Sequence, residues 1–525
     1  SSPEEKYRAV AIEALGRLGS PRALPYLVRP LFASPADSAE HRAAVRAWQR
    51  LGSIPDRAAA IELVESTAEN AFRGNVRRAA DIDGNLEIWS WDQSGVNDHQ
   101  VAKQDAATLD ASRLYRDLVA LEPNDVRYQI RYLLTRLDVD QSLGGLDYRL
   151  RTGDGSAHQL AVSLGPALVE AALAEGLASE HEGGAIAAAT ILGEIGSGQN
   201  LTAAPNHSSP LVEALQSPSR RVRFAAADAI LRLDPQGTFP GSTRLLDALA
   251  YFASAAGERR AILGHPNLSL GSQFAGMLNE LGYDTDVYAT CNEVIRNSPK
   301  SADIELIVVS DALDGSLWTL IEFLRADPRT RQTPVIILAR RHLLQAAQRV
   351  ADASELVIAM PEPSGTQAFA DILPSLLRSV GRAAVPIDVR FEHAERALEG
   401  FAQLQNRERG ADLNRYQDVV MSALQTPRLS KSAAKVLSKI GTPQAQLSLL
   451  DTASQSLYPL QTRKDAASAF DQSVRNFGVL LTNAQIDEQY ERYNRSEEQD
   501  AETQQILGSL LDAIEQRKDP EAPTT

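Results

Sequence analysis

The chain has 525 residues, 43% hydrophobic and 23% charged, too long for one core and ordinary for globular protein, so three or four units are expected and long disorder is not. A net charge of −15, with no basic run and only scattered pairs such as Arg77–Arg78, Arg220–Arg221 and Arg340–Arg341, argues against a nucleic-acid binder, because phosphate contacts need clustered Lys and Arg. No apolar stretch approaches the roughly 20 residues that span a bilayer, and a single cysteine, Cys291, precludes an intramolecular disulfide or a cysteine-based zinc site.

The chain begins Ser1–Ser2–Pro3, without Met, and enters a helical pattern at once. That beginning reads as a chain from which something upstream was removed; an envelope location follows if it was a leader, a cytoplasmic one otherwise. Residues 8–27, RAVAIEALGRLGSPRALPYL, pair with residues 433–450, AAKVLSKIGTPQAQLSLL, when Gly19–Ser20–Pro21 is set on Gly441–Thr442–Pro443. Ala11 then falls on Ala433, Leu15 on Leu437, Leu18 on Ile440 and Ala23 on Ala445. Further copies run through Ala44, Trp48, Leu51 and Gly52, through Ala188, Leu192, Ile195 and Gly196, and through Val222, Ala226, Ile230 and Leu233. Apolar residues at i, i+4 and i+7 form one helical stripe, a small Ala admits a neighbouring helix, Gly suits a left-handed cap and the following Pro stops the helix. The pattern resembles HEAT repeats over about 4–64, 164–256 and, less regularly, 386–515.

Residues 84–102 alternate, with Leu86, Ile88 and Ser90 on one face and Glu87, Trp89 and Trp91 on the other, which predicts a short strand or hairpin between helices. Trp89 and Trp91 are a candidate partner anchor, set against simple packing over adjacent helices. Ala111, Tyr115, Leu118 and Pro123 follow at +4, +7 and +12, in a segment that resembles the second helix of a tetratricopeptide (TPR) repeat, with helix to about Leu137. One such copy extends a helical array without defining a peptide groove. Residues 144–155 are glycine-rich and read as a loop.

From Glu258 the period changes. Apolar strands at Arg260–Gly264, Thr285–Tyr288, Leu306–Val309, Pro334–Leu338 and Glu355–Ala359 alternate with helices near 268–281, 292, 316–326, 342–352 and 365–380, which implies a parallel sheet covered on both faces. The stretches LNELGYDTDVYAT (278–290) and FLRADPRTRQTPVIILA (323–339) resemble the receiver domain of two-component response regulators, and the resemblance, over about 259–380, implies a flavodoxin-like fold. A working receiver holds magnesium with acidic residues after its first strand, takes the phosphoryl group on an Asp ending the third, and uses a hydroxyl after the fourth and a Lys after the fifth. Here those positions fall on His265 and Pro266, Ser310, Ala339 and Met360. Neutral side chains cannot replace carboxylates around a hard cation or an ammonium beside phosphoryl oxygens, so a degenerate pseudo-receiver is implied. Asp311 lies one residue past the acceptor position, and strand alternation points it elsewhere.

The eight histidines (41, 99, 158, 181, 207, 265, 342, 393) form no H-x-x-x-H pair, and His181–Glu182 is the only His-Glu pair, whereas a helical-repeat iron hydroxylase uses several. No Walker loop, G-x-S-x-G elbow or strand-following G-x-G-x-x-G occurs. No catalytic residue, metal ligand or cofactor site is therefore assigned; Glu497, Glu498, Asp500 and Glu502 read as a solvated helix face.

The expected organisation is mainly α, an α-solenoid of HEAT- and TPR-like helices with an inserted α/β receiver-like domain: repeats over 1–72, a β insertion and TPR-like helices over 73–143, repeats over 144–257, the α/β domain over 258–384, and a helical domain with a polar tail over 385–525. The expected function is a non-enzymatic scaffold binding other proteins or copies of itself, with no nucleic acid, small-molecule substrate or membrane span. The alternative is a phosphorylation-independent signalling adaptor that docks a partner around Met360–Gly365. Tyr490 and Tyr493 join the tryptophans as candidate partner contacts.

Overall fold

The computed structural model describes residues 5–75, 85–92, 95–202, 208–234, 239–354, 356–380, 384–404, 413–496 and 500–515, without the side chains of 89–92, 95–97 and 99. The chain is mainly helical and divides into two compact units: 1–214 with 232–234, and 215–231 with 235–525. The division falls inside the repeat block expected over 144–257.

The first unit runs α1 (Glu5–Leu18), α2 (Leu24–Phe32), α3 (Ala39–Leu51), α4 (Arg57–Phe72), β1 (Asn85–Asp92), β2 (Gly95–Ala102), α5 (Lys103–Leu121), α6 (Val126–Gly144), α7 (Ala157–Leu164), α8 (Pro166–Ala178), α9 (Glu182–Ile195) and α10 (Pro210–Ala214). Side-chain caps start several helices: Ser38 accepts from the His41 amide at 3.0 Å, Asp56 from Ala59 at 2.8 Å and Asp125 from Arg127 at 2.9 Å. Each helix packs on neighbours close in sequence, α1 on α3, α2 on α4, α4 on α5, α5 on α6 and α6 on α9. The hairpin β1–β2 is antiparallel; Leu86 and Ile88 bury their face against Val101 and Ala106, as the alternation requires.

The repeated stripes are buried in α3 (Ala44, Trp48) and α9 (Ala188, Leu192), but not in α1. There Ala11 is exposed, Leu15 half-buried and Leu18 76% exposed, while Ile12 and Gly16 face inward. The cause is a close approach: a Cβ on Gly16 would lie 2.5 Å from the Cβ of Ala47, so glycine sets which face of α1 meets α3. The turn glycines also divide. Gly19 takes the expected left-handed conformation at φ +69°, whereas Gly196 sits at φ −80°. At Gly196 and Gly441 space explains the residue: an added Cβ would come within 2.5 Å of the Leu192 carbonyl oxygen and 2.7 Å of the Phe477 ring.

The second unit contains α11 (Arg220–Leu233) up to Leu231, α12 (Ser242–Ala253), then β3 (Arg260–Gly264), α13 (Leu268–Glu280), β4 (Asp284–Tyr288), α14 (Cys291–Asn297), β5 (Ile304–Ser310), α15 (Leu317–Ala326), β6 (Val335–Ala339), α16 (Leu344–Ala351), β7 (Val357–Pro361) and α17 (Gln367–Val380). It continues with α18 (Ile387–Leu404), α19 (Gln417–Leu424), α20 (Ser430–Leu437), α21 (Pro443–Ser454), α22 (Leu460–Phe477), α23 (Asn483–Arg495) and α24 (Ala501–Glu515). The five strands β3–β7 make a parallel sheet in the order β4-β3-β5-β6-β7. Both faces are buried. Ile307, Val309 and Ile337 join a core with Leu320, Leu324 and Ala347 from α15 and α16, whereas Leu306, Val308 and Leu338 face Phe274, Phe369 and Leu373 from α13 and α17. Period-two alternation thus delivers apolar side chains to two cores, which is why these strands read as unbroken apolar runs.

A buried carboxylate ties the sheet to its flanking chain. Asp303, fully buried at the start of β5, accepts the amides of Ala256 and Gly257, which lead into β3, and pairs at 3.1 Å with Arg390 of α18. Arg390 also reaches Glu305 at 2.7 Å. Both connections of the α/β segment are therefore held by one ion-paired cluster.

Candidate functional site

The carboxyl ends of parallel strands, at the point where strand order reverses, are where α/β sheets usually bind ligands. In this sheet that point lies between β3 and β5, and apolar side chains fill it. A Cβ on Gly264 would lie 2.8 Å from Leu313 and 2.7 Å from Val294. His265 is buried, with Nδ1 3.0 Å from the Asn267 amide and its ring edge-on to Phe274. Ser310 is fully buried and its Oγ accepts the Ala312 amide at 3.1 Å; Ala339 and Met360 are buried too, and Pro266 is exposed. The edge thus gathers His265, Ser310, Ala339 and Met360 on adjacent strands, as neutral packing. Asp311, nearly buried, is already engaged: its oxygens accept the Arg340 amide and Nε, both at 3.0 Å.

Cys291 opens α14 and is half-buried; burial and the neighbouring Asp314 push its thiol up. Trp89 and Trp91 lie in β1, and their side chains fall outside the described residues. Tyr490 and Tyr493 on α23 are half-buried on α24: Tyr490 donates to Glu515 at 2.6 Å, and a Cβ on Gly508 would touch the Tyr493 ring at 3.5 Å. Both rings keep part of their surface open beside these contacts. Of the acidic group in this region, Asp500 accepts the Thr503 amide at 2.8 Å and Glu502 pairs with Lys464 at 3.1 Å; 497 and 498 lie outside the described residues.

A constellation that the sequence did not announce lies at the opposite, amino-terminal edge of the sheet. A cavity of about 280 Å3 is lined there by five arginines: Arg220 and Arg223 of α11, Arg259 before β3, Arg329 before β6, and Arg390 of α18. Three have carboxylate partners. Arg259 pairs with Glu305 at 3.0 Å and touches the Tyr283 hydroxyl at 2.7 Å; Arg329 pairs with Asp327 at 2.7 Å; Arg390 holds Asp303 and Glu305. Arg220 and Arg223 have no carboxylate within ion-pair distance among the described residues. Arg220 donates Nη1 to the Ala302 carbonyl at 2.6 Å, and its buried Nε and Nη2 have no partner. Arg223 donates to the carbonyls of Ser217, Pro218 and Pro328 at 2.6, 3.0 and 2.9 Å and lies over the Tyr251 ring at 5.2 Å. Burial, with the charges of Arg390 and Arg223, pulls the Arg220 guanidinium down to about 10; burial also lowers Arg223.

The sequence carried one sign of this site, the three arginines 220, 221 and 223 at the start of an alanine-rich helix. In sequence Arg220–Arg221 reads only as one of several scattered basic pairs; in the structure Arg221 and Arg223 are buried. Among the described residues no group of three or more His, Cys, Asp or Glu side chains is placed to hold a metal ion. No single described helix is long and apolar enough to cross a membrane. No protein-family model matches the chain, and no curated protein matches it.

Proposed function

We propose that this chain is a non-enzymatic scaffold that holds other proteins on the faces of HEAT- and TPR-like helices, around a receiver-like α/β segment used as a surface. The observation that carries the reading is the outward apolar face of α1. Tyr7, Val10 and Leu18 are 52%, 63% and 76% exposed, and Ala11 and Ala14 lie between them on the same stripe. In repeat arrays each stripe is buried by a neighbouring element, so an open one is a surface for a partner. The α/β segment supports the same reading. Its strand order is that of flavodoxin-like sheets, and of the positions that would hold charge in a receiver none is a carboxylate or Lys: His265, Ser310, Ala339 and Met360 are packed and Pro266 is exposed.

Native extraction followed by cross-linking mass spectrometry tests the proposal. A stoichiometric companion, or a second copy, is expected to cross-link near α1, and Val10→Asp with Leu18→Asp should release it while far-ultraviolet circular dichroism stays unchanged. A lone monomer under native extraction contradicts the scaffold. Incubation with acetyl phosphate and magnesium should leave the intact mass unchanged; a phosphoryl adduct on Asp311 or Ser310 contradicts the pseudo-receiver.

A second reading, a signalling adaptor, has its own observation: Trp318 and Phe323 stand exposed on α15. It calls for a reversible partner, lost on Trp318→Ala with Phe323→Ala and indifferent to the α1 variant.

A further inference from the structure

We propose that the arginine-lined cavity of the second unit binds a small phosphate monoester with a compact apolar body, its phosphoryl group held at Arg220. The inference is independent of the scaffold reading.

Charge comes first. The whole chain is acidic, yet five guanidiniums converge on this cavity and three carboxylates, Asp303, Glu305 and Asp327, pair with them. The charges of Arg220 and Arg223 are left over: among the described residues they meet backbone carbonyls and the rings of Tyr251 and Phe252, and no carboxylate within ion-pair distance. A buried guanidinium without a counter-charge is expensive, and its neighbours raise the cost further by repulsion. A dianion matches the surplus of two, whereas a monocarboxylate leaves half of it standing. The kind of cation points the same way: among the described residues every positive lining residue is Arg, whose planar fork presents paired N–H groups to phosphate oxygens, and none is Lys. Arg220 Nε and Nη2 and Arg390 Nε are donors still without acceptors.

The rest of the lining selects the body of the ligand. Ile304, Leu377, Val380 and Val385 give the cavity an apolar wall, and its volume of about 280 Å3 lies at the small end of small-molecule sites. A single ring or short alkyl chain fits beside the phosphoryl group.

The position gives binding a consequence. The cavity is walled by α11 and α18 on one side and by the starts of β5 and β6 on the other. A dianion there bridges the α/β segment to its flanking helices, adding to the Asp303–Arg390 clasp. Ligand binding then stiffens this junction.

Calorimetric titration of the full chain with phenyl phosphate, inorganic phosphate and benzoate tests the proposal. Phenyl phosphate should bind once per chain, about tenfold or more tighter than either of the others. Arg220→Gln should weaken it by about tenfold or more, and Arg220→Lys, which keeps the charge but not the fork, by less. No binding to the wild-type chain overturns the proposal. Equal affinity for benzoate overturns the dianion, and equal affinity for inorganic phosphate overturns the apolar body. Should Arg220→Gln not fold, hydrogen exchange on the wild-type chain decides: phenyl phosphate should protect amides at 220–224 and 302–306, and protection absent there overturns the site.

Discussion

Each unit gathers arginines around aromatic rings, and the two gatherings differ in one respect. In the first unit Arg131 lies over Phe72 at 4.8 Å, pairs with Glu175 at 3.2 Å, reaches Glu69 and donates to the Tyr115 hydroxyl at 2.9 Å, while Glu69 also takes Arg73 at 2.8 Å. Against the upward push of burial, Arg131 and Arg73 hold the Glu69 carboxyl below its usual range. Beside it Tyr128 is pushed up to about 12 by burial and by Glu65. That cluster lines a cavity of about 380 Å3, larger than the arginine cavity, and its lining sets Glu65, Glu69 and Glu175 against Arg127 and Arg131, so the charge left over there is negative. In the second unit Arg220 and Arg223 lean on carbonyls and aromatic rings, with no ion-paired carboxylate among the described residues. Cavity size therefore ranks the two sites wrongly. In the first unit Arg73, Arg127 and Arg131 all meet carboxylates and leave no positive charge for an anion, whereas Arg220 and Arg223 do.

The largest effect expected from breaking this contrast is at Arg390. Arg390→Met strands Asp303, whose side chain is fully buried, and removing one partner of a buried pair typically costs about 3–5 kcal/mol. Denaturant unfolding should show the second unit losing stability on that scale, with faster hydrogen exchange at the amides of 256 and 257 that Asp303 accepts. A loss under about 1 kcal/mol would mean that water reaches Asp303 readily.

The matching change in the first unit should be milder. Arg131→Met leaves Glu69 and Glu175, whose side chains are 28% and 32% exposed and can rehydrate. A cost of about 1–2 kcal/mol is expected, read in the unfolding of the first unit. Equal losses at Arg131 and Arg390 would remove the distinction between a half-solvated and a buried pair.

Legibility in the sequence follows the same physics. The strands of the α/β segment could be placed within a residue or two, because a sheet buried on both faces writes its position as short apolar runs: Arg260–Gly264 is both the expected and the observed strand, and Pro334–Leu338 became Val335–Ala339. The helical stripes were legible where both sides are covered, as at Trp48 and Leu192, and misleading at α1, where Gly16 against Ala47 turned Leu18 outward. The neutral residues at the sheet's carboxyl edge could be named from alignment with a receiver pattern alone. The arginine cavity could not. Its members come from positions 220 to 390, and an arginine that caps distant carbonyls looks in sequence like one that faces water. Pairings at long range leave no periodicity.

The smallest expected effect bears on the surplus charge itself. His393 of α18 stacks on Phe224 with ring centroids 3.6 Å apart, and its Nδ1 is buried without a partner. Burial first, then the charges of Arg220 and Arg221, hold its pKa well below 6.5. In the folded chain the ring is therefore neutral at pH values where the unfolded chain already takes up a proton. Its contribution is fully present above about pH 6.5 and falls as the pH drops towards the depressed value, with a slope approaching about 1.4 kcal/mol per pH unit. His393→Phe keeps an aromatic ring against Phe224 and removes the proton, so the difference in stability between variant and wild type should widen below pH 6.5 and stay constant above it. A constant difference across that range would show that the ring already carries its proton in the folded state. Saturating phenyl phosphate sharpens the reading: its own protonation at about pH 6 adds the same slope to both proteins, and because neutralising Arg220 removes one of the two charges that repel the imidazolium, the slope that wild type shows beyond that of His393→Phe should become shallower.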